Sequence, residues 1–340
     1  MRIGLPLLFA AFFLMVTGSQ GATLDLVVRR GLLNCGTDNT NPGFGYLNTR
    51  TGQMEGLDVD FCRAAAAAVL GDSQKVNFIV VTDKSRFTAL QTHQVDVVFA
   101  HTTIEPERES AVGVDFLPIN FYDGTGIMVK VSSKVTKFDE LEGATFCTTQ
   151  GSGIEATLAS AISRMGWRKS TVLTYENLER LFIAFNAGRC DAMSTDRSAL
   201  VSWKANSARP ADFKILGETL DKSPFAGFVN QGDPRWRNIL RWIVFGLFQA
   251  EESGVTSVNI VERLKTADPF VQRVLGVTGS VGRDFGIAND FVAKMVAQVG
   301  NYGEIYDRNL GEKTSYFLER KGTPNAQWKD GGLIYSPDWK

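Results

Sequence analysis

Short apolar, β-branched runs alternate along this chain with longer amphipathic or alanine-rich runs. LLNC (32–35) reads as a strand, and DFCRAAAAAVL (60–70) as a helix that begins near Asp58, with Asp58 or Asp60 as its N-cap candidates and Gly71 beyond its end. VNFIVV (76–81) is the next strand, SRFTALQTH (85–93) a helix and VDVVFA (95–100) a strand. After Lys130 the pattern restarts with strand ATFCTT, helix GIEATLASAISRMG, strand TVLTY, helix LERLFIAFNAG, strand CDAMST and helix RSALVSWKANS. Strands of this length between helices predict right-handed βαβ units around a mostly parallel sheet, an α/β class of fold. Two blocks are visible, about 25–120 and 131–222. FYDGTGIMVK (121–130) and PFAGFVNQG (224–232) are extended and glycine-broken, and read as strands crossing from one block to the other and back. The expected organisation is a lobe made of 24–122 and 226–340 and a second lobe made of 123–225. From Asp233 on the pattern is mostly helical, ending in an extension (GNYGEIYDRNLGEKT onward) expected to wrap back on the first lobe.

Residues 1–22, MRIGLPLLFAAFFLMVTGSQGA, depart from this pattern. Arg2, an apolar run from Leu5 to Val16, and Ser19 and Gly21 at the −3 and −1 positions form the three-part layout of a secretory signal, cleaved near Gly21 or Ala22. The apolar run is too short to span a bilayer, which takes roughly 20 residues. ILRWIVFGLFQA (239–250) is also short, carries Arg241 and reads as a core helix. The mature chain is therefore expected in the periplasm.

Charge narrows the function. With 36 basic and 37 acidic side chains the formal net charge is −1, so there is no broad field to hold phosphate backbones and no nucleic acid is expected. His93 and His101 are the two histidines, too few for a histidine-rich metal centre. Neither a metal nor a cofactor is expected. GSGIEA (151–156), with Glu176 about 20 residues on, has the outline of a dinucleotide fingerprint, but it lies mid-chain in an exported protein and is not assigned. Export permits disulfides among the four cysteines. Pairing neighbours, Cys35 with Cys62 and Cys147 with Cys190, closes loops of about 27 and 43 residues and staples each lobe once. In the chain-entropy description each bridge stabilises by about 3 to 4 kcal/mol. Buried free thiols are the alternative.

Ligands of open α/β sheets sit beyond the carboxyl ends of the strands. The loops there carry Gly36, Thr37 and Asp38; His101, Thr102, Thr103, Glu105 and Arg108; Thr149, Ser152 and Gly153; and Thr195 and Asp196. Pro106 suits the first position of a helix with Arg108 in its first turn. A guanidinium, hydroxyls and helix N-terminal amides can hold a carboxylate, and an aspartate opposite can take an ammonium. Such a set complements a zwitterionic α-amino acid. Each residue also has a plainer reading: Arg108 as a partner of Glu105 or Glu109, Asp38 and Asp196 as caps of turns or helices, and Thr103 as an N-cap.

The phrases EGLDVDFCRAAAAAVLGD, SRFTALQTHQVDVVFAHTT, FYDGTGIMVK, NAGRCDAMSTDRSAL, FQAEESGVTSVN and GNYGEIYDRNLGE resemble the periplasmic binding proteins of polar and general L-amino-acid ABC transporters, from about Leu24 to the C-terminus. The resemblance implies a two-lobed, hinged fold that closes on a free amino acid and delivers it to a membrane permease, the binding protein itself being a monomer and not an enzyme. It places the α-carboxylate on Arg108 with Thr103, sets Thr149 through Gly153 at the second lobe's first helix, and gives the α-ammonium to Asp196 with Asp38 opposite. The chain departs from that pattern in having Ala100 and His101 where an Arg-Asn pair is usual, and Glu105 where a hydroxyl is usual; Asn41, Pro42 and Gly43 are also unusual. These departures bear on which side chains are accepted. Two rival readings remain open on the sequence: a dehydratase of prephenate-like substrates on the same fold, with Glu105 or His101 as its acid or base, and a sensory module that presents an amino acid to a receptor.

Overall fold

The computed structural model describes residues 23–340, so the expected signal segment lies outside the described residues. The strands are β1 (Leu33–Thr37), β2 (Thr40–Asn41), β3 (Gly45–Asn48), β4 (Gln53–Glu55), β5 (Val76–Val80), β6 (Val97–Val98), β7 (Val114–Asp123), β8 (Thr125–Lys130), β9 (Thr145–Thr149), β10 (Thr171–Tyr175), β11 (Ala192–Asp196), β12 (Phe213–Ile215) and β13 (Ser223–Asn230). The helices are α1 (Thr23–Arg30), α2 (Leu57–Leu70), α3 (Arg86–Gln91), α4 (Gly153–Arg164), α5 (Leu178–Asn186), α6 (Arg197–Ala205), α7 (Pro234–Glu252), α8 (Ile260–Arg263), α9 (Pro269–Val274), α10 (Val281–Phe285), α11 (Phe291–Val299) and α12 (Tyr302–Leu310).

One sheet has the order β5-β1-β6-β13-β7, the other β10-β9-β11-β8-β12. In each, the first three strands are parallel and the remaining two run antiparallel to their neighbours. β7, β8 and β13 form the crossings: the chain leaves the first sheet along β7, turns at Gly124 into β8 of the second, and returns along β13. The crossings are stitched side by side, Thr125 N–H donating to Asp221 Oδ1 at 2.8 Å and Leu220 N–H to the Thr125 carbonyl at 2.9 Å.

The first sheet's core is built on α2, whose alanines 64–68 are all buried because their small side chains let α7 and α11 pack closely. Neither Asp58 nor Asp60 caps this helix. It starts one residue earlier, after Gly56 at φ 134°, where a Cβ would stand 2.0 Å from the Phe44 carbonyl oxygen, so only glycine fits the entry. Asp58 lies instead in the first turn and accepts the His101 N–H at 2.8 Å, while Asp60 is held by Arg308 and Asn309. The Ile239–Ala250 run is buried inside α7, with Arg241 on the exposed side.

The C-terminal extension returns to the first sheet. Asn325 exchanges hydrogen bonds with the Tyr122 backbone at 2.7 and 2.9 Å, Arg320 grips Glu251 through Nη1 and Nη2, and Trp339 packs edge-on against Trp242. The cysteines pair as Cys35–Cys62 and Cys147–Cys190, with Cα separations of 5.9 and 5.8 Å, one bridge tying α2 to β1 and the other tying β9 to a position two residues before β11. Free thiols are thereby excluded. No helix among the described residues is long and apolar enough to cross a membrane.

Candidate functional site

In both sheets the chain reverses its direction of strand addition beside the central strand, between β1 and β6 and between β9 and β11, which opens a crevice at the carboxyl ends of those strands. The two crevices face one cleft of about 400 Å³. Its walls are Asp83, Arg86, His101, Thr103, Glu105 and Arg108 from the first sheet; Ser152, Gly153, Thr157, Ser160, Arg164 and Asp196 from the second; and Thr125, Asp221, Lys222 and Ser223 from the crossings.

Arg108 begins a stretch of wide, π-type helix, Arg108–Val112, and is 6% exposed. Its Nη1 donates to the Thr103 carbonyl at 2.5 Å, its Nη2 meets Glu105 Oε1 at 3.2 Å, and its guanidinium lies 5.5 Å from the Phe87 ring centroid. Burial and the neighbouring Arg86 push its pKa down to about 10, which leaves it charged at neutral pH. Arg86, also buried, donates to Asp83 Oδ1 at 2.7 Å and to the Ala100 carbonyl at 3.2 Å. Burial pushes the Asp83 carboxyl up, but Arg86, His101 and Thr149 outweigh it and hold the pKa low. Thr149 belongs to the second sheet, so its 2.8 Å bond to Asp83 Oδ2 joins the two sides of the cleft.

On the second side, Ser152 does not cap α4; its hydroxyl donates back to the Thr149 carbonyl at 2.8 Å, and the first N–H groups of this 12-residue helix stay uncapped by it. Asp196 stands at the start of α6 without capping it. Among the described residues its carboxylate accepts no hydrogen bond and joins no ion pair, although only 7% of the residue is exposed. Burial raises its pKa well above the usual carboxylate value, and Asp123, Asp83 and Asp221 raise it further. An unmet anion held in this way asks for a cation.

Of the residues expected from the sequence, His101, Thr103, Arg108, Ser152, Gly153 and Asp196 line the cleft. Asp38 and Thr149 line a small adjoining recess with His101. Asp38 spends one carboxylate oxygen on its own turn, accepting from Asn39 N–H, Thr40 N–H and Thr40 Oγ1 at 2.6 to 3.0 Å. Thr102 and Thr195 do not line the cleft: Thr102 donates to the Ala100 carbonyl at 2.8 Å, and Thr195 is buried in β11 opposite Gly126. Successive side chains of an extended segment alternate in direction, so Thr103 and Asp196 turn inward where their predecessors turn away.

Sequence reading passed over Asp83 and Arg86. Asp83 lies in the loop beyond the carboxyl end of β5 and Arg86 begins the helix that follows, and the rule that singled out the other four loops applies there equally. It also passed over Thr157, Ser160 and Arg164, which come after Gly153 at +4, +7 and +11 and share its helix face. Among the described residues no group of three or more His, Cys, Asp or Glu side chains is placed to hold a metal ion.

His101 is strained, with φ +35°, and its backbone N–H is held by Asp58. Burial pushes the Asp58 carboxyl up to about 6 from 3.8, against the opposing pull of His101. The folded protein therefore binds a proton that the unfolded chain releases in this window, and the stability contributed by Asp58 falls by about 3 kcal/mol as pH rises from about 4 to 6. Asp58→Asn keeps an acceptor for the His101 N–H and removes the charge. We expect its stability relative to the parent to rise by about this amount between pH 4 and pH 7 in urea unfolding, whereas a difference independent of pH contradicts the assignment.

Two α/β sheets joined by paired crossings, with one cleft at both switch points, define a periplasmic binding protein of type II. Residues 33–254 match the family model of the bacterial extracellular solute-binding proteins, family 3, and the chain belongs to that family. It is 39% identical over 328 residues to the glutamate/glutamine/aspartate/asparagine-binding protein BztA of Rhodobacter capsulatus, covering 96% of each chain. It is 37% identical over 323 residues to the general L-amino acid-binding periplasmic protein AapJ of Rhizobium johnstonii, covering 94% of each. Among solved structures, an ABC transporter periplasmic binding protein from Brucella ovis with glutathione bound superimposes with a TM-score of 0.89 at 38% identity, over 94% of this chain and 99% of that one.

Proposed function

We propose that this protein captures free L-amino acids in the periplasm and hands them to the permease of an ABC transporter, its first residues being removed near Gly21 or Ala22 on export. The observation that carries this reading is the charge arrangement of the cleft. Arg86 is matched by Asp83, Arg108 holds the other buried guanidinium, and Asp196 is a buried carboxylate without a partner among the described residues. Arg108 with Thr103 and the start of α4 takes the α-carboxylate, and Asp196 takes the α-ammonium. Asp38, His101 and Thr149 shape the recess beside them, while Ser152 and Gly153 supply helix N–H groups. BztA and AapJ are named for amino acids, and glutathione carries the same free α-amino and α-carboxyl pair on its γ-glutamyl end, so one grip serves all three ligand classes.

The moving parts are residues 24–122 with 226–340 on one side and 123–225 on the other, hinged at the crossings. Each contributes half the charges, so ligand affinity is in large part the free energy of closure. Micromolar binding takes about −8 kcal/mol, which two desolvated charge-assisted contacts and the excluded water can supply after the entropic cost.

The protein acts as a monomeric carrier and not as a catalyst, the role that its solute-binding family and relatives support. A melting screen of the standard L-amino acids and glutathione tests the proposal. Ligand at 100 times its dissociation constant adds about 2.7 kcal/mol and raises the melting temperature. A flat screen, or turnover of a cyclic diene acid, refutes it.

A further inference from the structure

The guanidinium of Arg108 is already occupied. Glu105, three positions earlier on the same loop, places Oε1 at 3.2 Å from Arg108 Nη2. That oxygen also lies against the first residue of α4 on the opposite side of the cleft: a Cβ on Gly153 would stand 2.4 Å from it and 3.6 Å from Arg108 Nη2. A carboxylate of the protein itself therefore fills the space between the guanidinium and the start of the helix. This is the seat that the proposed function gives to the ligand. The two partners differ in freedom, since the Arg108 side chain is 8% exposed and pinned to Thr103, whereas the Glu105 side chain is 35% exposed and has Arg108 as its sole polar partner among the described residues. The arginine is fixed, and the glutamate can swing into water.

With Glu105 seated, both buried guanidiniums are matched and the buried Asp196 has no partner among the described residues, so the buried part of the cleft, inside the exposed Arg164 and Lys222, is complementary to a ligand that brings an ammonium and no carboxylate. A zwitterion completes the balance only after Glu105 has left. Two carboxylates on one guanidinium in a closed cleft repel each other, and the protein's own is tethered at high effective concentration.

We propose that Glu105 is a resident competitor for the carboxylate seat and the residue that sets how far this cleft prefers free acids over their amides. The inference rests on the proposed function. Glu105 lowers affinity for every ligand that presents an α-carboxylate, and it lowers affinity least for an α-carboxamide, whose N–H groups can donate to it.

The test is calorimetric titration of the full mature protein, Glu105→Gln and Glu105→Thr with each standard L-amino acid, and of all three with the α-amide of the tightest binder. Glutamine keeps the shape without the charge, and threonine removes the long side chain. Both variants are expected to bind the tightest amino acid at least tenfold more tightly than the parent, about 1.4 kcal/mol. Their preference for the acid over the amide is expected to widen by a similar factor. If the parent binds amino acids and a variant that melts like it binds them equally or more weakly, the competitor role is overturned and the proposed function stands. If the parent and both variants bind none, both fall together.

Discussion

Arg108→Ala abolishes or severely weakens amino-acid binding in an otherwise folded protein. Truncating one partner of a buried, hydrogen-bonded charge pair costs about 2 to 5 kcal/mol, equivalent to a loss of about 30-fold to several thousand-fold. The fold tolerates the change because what Arg108 leaves behind faces the cleft. The Thr103 carbonyl loses one donor and the half-exposed Glu105 carboxylate turns to water, a penalty of about 1 to 3 kcal/mol and a fall of several degrees in melting temperature. Calorimetry against the ligand found in the melting screen decides the matter, with circular dichroism as the control for folding. Wild-type affinity in the variant removes Arg108 from the site.

Asp196→Asn moves binding and stability in opposite directions. Its folded carboxyl is raised, chiefly by burial and then by Asp123, Asp83 and Asp221. For an acid with a raised folded pKa, stability is lost as pH rises from the unfolded value through the folded one, so at neutral pH this carboxyl costs the ligand-free protein stability. Asparagine removes the cost and stabilises the ligand-free protein by about 1 kcal/mol or more. The same substitution removes the counter-ion of the ligand ammonium and weakens zwitterions by about 2 to 5 kcal/mol. An analogue with a hydroxyl in place of the amine loses far less. Titrating the amino acid and its α-hydroxy analogue into parent and variant, with urea unfolding of both, separates these effects. Equal losses for the two ligands contradict the ammonium assignment.

The sequence pattern was most legible where burial forces apolar runs. Strands such as TVLTY and TFCTT and helices such as DFCRAAAAAVL fall where the pattern puts them, and VDVVFA holds a strand only at Val97–Val98; a strand inside a sheet or a helix under it has few alternatives to β-branched or small apolar residues. The meander β2-β3-β4 was not visible, since its strands are two to four residues long and alternate with polar, exposed positions. Helix α1 was missed for a different reason: TLDLVVRR buries only Leu24 and Val27, and it comes soon after the apolar run of the first 16 residues. The N-terminus of α2 was misread because a glycine in a conformation closed to other residues, rather than an aspartate side chain, begins the helix.

At the cleft, the loops beyond the parallel strands led directly to Arg108, Thr103, Gly153 and Asp196. Side-chain direction within those loops was not legible, and that is what turned Thr102 and Thr195 away. Nor was pairing across the cleft, since Asp83 with Arg86 and Thr149 becomes a set only when the two sheets are brought together. The plainer sequence reading of Arg108 as a partner of Glu105 describes the structure, and the pair occupies the seat that the proposed function gives to the ligand.

The central claim is that one cleft grips both ends of an α-amino acid, Arg108 at the carboxylate and Asp196 at the ammonium. A crystal structure of the mature protein with the tightest amino acid from the screen tests it most directly. The account predicts the ligand α-carboxylate on the Arg108 guanidinium with Glu105 displaced from it, and the α-ammonium within hydrogen-bond distance of the Asp196 carboxylate. A ligand bound elsewhere, or bound in this cleft with its carboxylate away from Arg108 and its amine away from Asp196, contradicts it.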